Sequence, residues 1–241
     1  MFFLSESYRL QTLVLGVCGL GFSRVHLKGF NMKFSILKKE LKAISRFAAT
    51  KDIRYYLQGI HIVQNNRGTY LEATNGHMLG RLLVLAEPMP SAETILPLDA
   101  IKTLCGSSKN GDEWLHFEVD GVKINVISGN NTYTFQAVDG TFPDCDRVTP
   151  SVLNSEDEKP SGFNPEYLMA FHQAACDIKN SRKGADPTIS IVQRGDKSAV
   201  VNIGVDNFVG VLMPMRGGTG ASIPEWCYKP KTIEAQTPET A

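Results

Sequence analysis

The chain has 241 residues, 42% of them apolar and 21% charged, with 25 basic side chains set against 25 acidic ones. Such a chain can bury one or two cores, and its even charge excludes a globally basic nucleic-acid binder, so any contact with phosphate must come from local segregation of charge. The five cysteines (Cys18, Cys105, Cys145, Cys176 and Cys227) are scattered and form no Cys-x-x-Cys or Cys/His cluster, which argues against zinc and redox motifs and for a reduced, cytoplasmic setting.

At the start, Leu10 to Phe22 is apolar but too short for a bilayer span, which needs about 20 such residues. Glu6 precedes Arg9 and no Ala-x-Ala cleavage pattern follows, so export is not indicated and no membrane role is expected. Residues 1–31 read as an upstream extension outside the fold.

From Met32 one pattern occurs three times: a short strand, a helix, then three strands. In the first unit the spacing predicts a helix near Ile36–Ala48 and strands near Leu57–Val63, Thr69–Ala73 and Gly80–Leu85, with turn chemistry at Asn65-Asn66-Arg67-Gly68 and Asn75-Gly76. The second begins at Thr94-Ile95-Leu96. Its helix opens at Pro97, where a missing N–H costs nothing, and closes near Gly106. Strands follow near Trp114–Val119, Val122–Ser128 and Thr132–Val138. The third has a helix from Pro165 to about Ile178 and strands near Thr188–Gln193, Ala199–Val205 and Phe208–Met213. The expected fold is therefore α+β. Residues 32–150 form one domain, 151–160 an acidic linker, 161–216 a half-domain and 217–241 a tail.

A catalytic reading finds no support. There is no Gly-x-Ser-x-Gly, His-Glu-x-x-His, P-loop or dinucleotide fingerprint, and the five histidines pair with no motif carboxylate. Gly217-Gly218-Thr219-Gly220 precedes no helix, so it makes a poor phosphate cradle. No catalytic residue, metal or cofactor is expected.

Three segments carry a more specific signal when read together: Arg54-Tyr55-Tyr56-Leu57-Gln58-Gly59 with Ala73-Thr74-Asn75-Gly76-His77-Met78-Leu79, Asp139-Gly140-Thr141-Phe142-Pro143-Asp144 running on to Arg147-Val148, and Val211-Leu212-Met213-Pro214-Met215-Arg216. In this order they resemble the bacterial DNA sliding clamp, the beta subunit of DNA polymerase III, and Met32-Lys33-Phe34 resembles a clamp start. The resemblance implies a DNA-clamp fold and a non-enzymatic processivity factor. Its partners would be DNA polymerase and clamp-loader subunits, together with duplex DNA bound without sequence preference. A family subunit has six units where three are seen here, matching a middle domain and the second half of a last domain, so closure of a ring of two subunits is not implied. A homo-oligomer is expected. The alternative is a module that occupies clamp-binding motifs without encircling DNA.

The family's partner groove maps onto Leu57, Thr74, Gly76, His77, Leu79, Pro143, Arg147, Val148, Val211, Leu212, Met213, Pro214 and Met215. Leucine, valine and methionine suit an adaptable apolar pocket. Met78 stands where the family has arginine, which removes one polar rim contact. Taken singly, Asn75-Gly76 is also an ordinary hairpin turn, and Leu57 and Leu79 are ordinary core residues.

Helical winding separates Leu37, Leu41, Ile44 and Ala48 from a cationic side carrying Lys38, Lys39, Lys42 and Arg46. Such a face can track phosphates without reading bases, or can simply be solvated. Arg54, Tyr55 and Lys102 are further candidates for DNA contact. The third helix carries an apolar stripe of Tyr167, Leu168, Phe171, Ala174 and Ile178. A second copy covers that stripe if the chain self-associates. Otherwise the stripe folds back on the first two units.

Overall fold

The computed structural model describes residues 31–106, 111–150, 161–179, 187–193 and 196–216. The extension over 1–30, the acidic linker 151–160, the glycine-rich Gly217–Gly220 and the rest of the tail to residue 241 lie outside the described residues. Asn31 does not belong to the extension: it opens β1 (Asn31–Leu37) and pairs with Asp120.

The first unit continues with α1 (Lys38–Ser45), β2 (Gly59–Asn65), β3 (Gly68–Thr74) and β4 (Met78–Leu85). The second is β5 (Ala92–Pro97), α2 (Leu98–Cys105), β6 (Trp114–Asp120), β7 (Lys123–Ser128) and β8 (Asn131–Gln136). The third is α3 (Pro165–Lys179), β9 (Ser190–Val192), β10 (Ala199–Asn202) and β11 (Phe208–Leu212). All strand pairing is antiparallel, in a four-stranded sheet β1-β6-β7-β8 and a seven-stranded sheet β5-β2-β3-β4-β11-β10-β9. The α+β reading holds.

Units one and two exchange their first strands. β1 joins unit two along β6, and β5 joins unit one along β2. Alternation along β1 turns Met32, Phe34 and Ile36 inward, where Phe34 stacks on Phe117 of β6 at 4.8 Å. This exchange shortens the expected first helix. Ile36 and Leu37 stay in β1, in register with Leu115 and Trp114, so α1 begins only at Lys38. The Glu40 carboxylate accepts the Leu37 N–H at 3.1 Å and closes that helix start. Pro97 likewise ends β5 and caps α2, and Leu98 is the first helical residue.

Unit three joins unit one differently, edge to edge. β11 pairs with β4, which places Gly210 opposite Gly80. A Cβ on Gly80 would stand 2.4 Å from the Phe47 ring, and one on Gly210 would stand 2.2 Å from the Phe171 ring. Two bare backbone positions thus let both rings lie on the sheet, 4.8 Å apart, with Phe208 5.7 Å from Phe47. Phe171 and Ala174 are fully buried, and Tyr167, Leu168 and Ile178 pack against the same core. Of the two fates open to the α3 stripe, the structure shows the internal one.

Candidate functional site

Successive residues of β4 face opposite sides of the sheet. Met78 and Leu82 join the main core with the helices, whereas Leu79 joins a second cluster with Ala49, Leu57, Ile95, Phe142, Cys145 and Val211. That cluster is covered by a strap descending from β8. Val138 N–H donates to the Ile95 carbonyl at 3.0 Å, Phe142 stacks on His61 at 4.6 Å, and Ser198 Oγ donates to the Val148 carbonyl at 3.0 Å. The strap thus runs over unit one and ends at unit three.

The expected groove residues come together where the strap, β4 and β11 meet. Leu57, Leu79 and Val211 are buried there, beneath the strap. At one end is the turn Asn75–His77. Asn75 Oδ1 accepts the N–H groups of His77 and Met78 at 2.9 and 3.0 Å, and Gly76 takes φ of 90°. Thr74 is buried and serves this turn, its hydroxyl donating to the Met78 carbonyl at 2.7 Å and accepting from Gly76 N–H at 3.0 Å. Past β11, Met213 N–H donates to the His77 carbonyl at 2.9 Å, and Met215 N–H to the Gly162 carbonyl at 2.8 Å. Met213 is 40% exposed, Met215 58% and Val148 41%; Pro143 and Arg147 are exposed and Pro214 half-buried. Exposed apolar side chains thus stand beside a buried apolar cluster.

Leu212 is the exception among the expected groove residues. It pairs with Met78 on the helix side and lies in the main core. Strand alternation requires this once Val211 faces the strap.

Other residues join the site unexpectedly. His77 stacks on Tyr167 of α3 at 5.7 Å, linking the groove turn to unit three. The Arg54 guanidinium lies beside Gly76, 3.1 Å from where a Cβ would stand there. Arg54 is held by both carboxylate oxygens of Asp52, at 3.0 and 2.7 Å, and these bonds hold the Asp52 carboxyl down at about 2. Arg54 thus flanks the Asn75–His77 turn, whereas the exposed Tyr55, which opens the short 3-10 turn Tyr55–Leu57, lies beside Gly140. Their position just before Leu57 was the only sequence cue to this.

The cationic face of α1 is corrected in part. Lys38 is not solvent-facing: it is buried, with Nζ 2.6 Å from Glu113. Lys39 pairs with Asp112 at 2.6 Å. Lys42 and Arg46 converge on Asp177 of α3 at 3.0 and 2.5 Å, and Arg46 also donates to Gln173 at 2.6 Å. Lys102 is exposed and pairs with Asp99 at 2.8 Å. Much of this charge therefore ties α1 to its neighbours.

Two cavities lie away from the groove. One of 390 Å³ is bordered by Pro165, Glu166, Met169, Ala170 and Gln173, and one of 310 Å³ lies beside Arg67, Tyr70, Arg81 and Asn207. Among the described residues, no three His, Cys, Asp or Glu side chains gather to hold a metal, and no helix is long and apolar enough to cross a membrane. Cys105, Cys145 and Cys176 are free thiols, and burial raises Cys105 to about 11 and Cys145 to about 12.

Paired strand–helix–three-strand units, with exchanged first strands and a continuous sheet beside the helices, define the DNA-clamp class. Solved clamps share the fold. The DNA polymerase III subunit beta of Pseudomonas aeruginosa superposes with a TM-score of 0.59 at 23% identity, covering 81% of this chain and 69% of that one. The Borrelia burgdorferi protein in complex with a natural product gives 0.60 at 13% identity, over 82% and 67%. The Pseudomonas aeruginosa clamp bound to griselimycin gives 0.55 at 20% identity, over 81% and 68%.

The sequence is similar to the same proteins. Residues 31–144 match the central domain of the DNA polymerase III beta subunit, and the chain is similar to bacterial beta sliding clamps. It is 29% identical to the Escherichia coli K12 clamp over 150 residues, covering 62% of this chain and 37% of that protein. Against the Pseudomonas aeruginosa clamp it is 33% identical over 153 residues, covering 60% and 40%. The chain spans about two fifths of the length of these relatives.

Proposed function

We propose that the protein is a clamp-like, non-catalytic accessory of DNA replication in the cytoplasm. It docks short apolar motifs of a DNA polymerase or clamp loader into the groove between strap, β4 and β11. The observation that supports this is the exposed apolar set Met213, Met215 and Val148 beside the buried cluster of Leu57, Leu79 and Val211. Met213 and Met215 are the anchors, since unbranched thioether side chains re-pack around different partners. Arg147 and Arg54 supply polar orientation at the rim. Replacing both methionines by alanine is expected to weaken a clamp-motif peptide by at least about 1 kcal/mol, the scale of an interface anchor. An equilibrium titration checks this, and a wild-type protein that binds no such peptide would overturn the reading.

Duplex DNA is bound, in this reading, without sequence preference through the helix layer. Lys39, Lys42, Arg46 and Lys102 supply the positive charge, with Arg54 at the groove end and Tyr55 beside Gly140. The ion pairs of these cations make the contact weak and steeply salt-dependent. Two assemblies are compatible with such binding. Several copies closing a ring would act in processivity. A solitary module would instead occupy clamp-binding motifs, and the internal burial of the α3 stripe favours it. Sedimentation at micromolar concentration separates them: a closed multimer supports the ring and a strict monomer the module.

A further inference from the structure

Strand register lines up three ionisable side chains across the outer face of the large sheet. His61 of β2 stands beside Glu72 of β3, and Glu72 beside Arg81 of β4. His61 and Glu72 are buried, at 7% and 3% exposure. Glu72 accepts from Arg81 Nε at 2.5 Å and pairs with His61 Nδ1 at 3.1 Å, while His61 Nε2 lies 3.4 Å from Glu93. Glu72 therefore has its partners within the sheet, and Arg81 retains donor capacity on its outer side.

That capacity is turned toward the strap. Arg81 Nη2 lies 2.8 Å from Asp146 Oδ1, and Arg67 Nη2 lies 2.7 Å from Asp146 Oδ2. Both guanidinium groups sit over the Tyr70 ring, at 5.2 and 5.5 Å, and the Tyr70 hydroxyl accepts from Arg67 at 3.1 Å and from Asn65 at 2.7 Å. The two cations are thus held on the sheet by contacts that do not involve the strap. Asp146 lies in the 3-10 turn Cys145–Arg147, started by Asp144, whose carboxylate accepts the Asp146 N–H at 3.1 Å. The next residues, Arg147 and Val148, face outward at the groove.

We propose that Asp146 is a positioning residue, a latch that fastens the strap to Arg67 and Arg81 and thereby sets the groove wall formed by Pro143, Arg147 and Val148. This rests on the groove reading above. The competing account holds the strap without Asp146, by Phe142 and Cys145 buried in the second cluster and by the Val138–Ile95 and Ser198–Val148 hydrogen bonds.

Hydrogen exchange on the full chain decides between them. The amides of Val148 and Thr149, which donate to the Cys145 carbonyl at 3.3 and 3.2 Å, report directly on the turn. In Asp146→Asn they are expected to exchange about 5- to 10-fold faster, the scale for losing a partly exposed ion-pair network. Amides of β2 to β4 should be unchanged. Affinity for a clamp-motif peptide is expected to fall by about 3- to 10-fold on the same scale. Asp146→Glu should restore part of both effects, and Arg67→Gln, which leaves Arg81 in place, should give a smaller loss. Unchanged exchange, or unchanged affinity, in Asp146→Asn overturns the latch. A wild-type protein that binds no peptide overturns the groove reading and the positioning claim with it, while the exchange rates still report whether Asp146 fastens the strap.

Discussion

The two junctions of this molecule are built on different principles. Units one and two exchange strands, so each sheet of the pair contains a strand of the other unit and neither can close alone. Units one and three exchange no strand and abut instead, through the β4–β11 pairing, the Phe47–Phe171 and His77–Tyr167 ring contacts and the Asp177 carboxylate shared by Lys42 and Arg46. The first arrangement makes a domain. The second makes a seam with a face on each side, where Met213 N–H of unit three donates to the His77 carbonyl of unit one. The proposed docking site therefore lies at a seam between abutting units and not inside an exchanged pair.

The largest effect is expected at the rings of the seam. Phe171→Ala empties a fully buried site against Phe47 and the bare backbone of Gly210, and should cost about 3–5 kcal/mol, the range for a buried phenylalanine. Urea unfolding should then resolve a separate early transition for unit three, leaving residues 31–150 folded. A single cooperative transition at the wild-type midpoint would show that the seam does not depend on these rings.

Asp177→Asn should act at the same seam more gently, by about 1 kcal/mol, since Lys42 and Arg46 are only partly covered and can turn to water. It also releases two cations on the helix layer. Non-specific affinity for duplex DNA should rise at low salt, and the slope of log affinity against log salt should steepen by up to about 0.9 for each freed phosphate contact. Unchanged DNA binding would assign these cations to the seam alone.

The smallest effect distinguishes the strap side from the seam. Burial pulls His61 down, but Glu72 and Glu93 outweigh it and hold the imidazole above its ordinary value. A raised folded-state value stabilises most below the unfolded value of about 6.5 and loses that contribution as pH rises through the folded one. Wild-type stability should therefore decline from neutral toward mildly alkaline pH more than that of His61→Gln. Equal slopes in chemical denaturation would remove His61 from the account. Asp146 works in the opposite sense: Arg67 and Arg81 hold its carboxyl below the usual range, so its contribution is lost as pH falls through that lowered value.

Much of this architecture was legible from local chemistry. Turn residues at Asn75-Gly76 and strand periodicity placed β2 to β8, and Leu57, Leu79 and Val211, grouped from the sequence, pack in one cluster. Period-two alternation would also have separated Val211 from Leu212, because neighbours on one strand cannot share a face. The ion pairs were not legible. Asp177 lies 135 residues beyond Lys42 and 131 beyond Arg46, so helical winding alone shows a bare cationic face where the fold shows a pinned one. Strand exchange was hidden for a similar reason. The run from Ile36 into α1 reads as one helix until β6 claims Ile36 and Leu37.

Amide mapping of a bound clamp-motif peptide tests the central claim most directly. If the groove at the seam is the docking site, saturating peptide should slow exchange or shift resonances at Asn75–His77, at Val211–Met213 and at Arg147–Val148 together, and Met213→Ala with Met215→Ala should abolish all three responses. Responses confined to the Met169 face of α3, or to one side of the seam only, would contradict it.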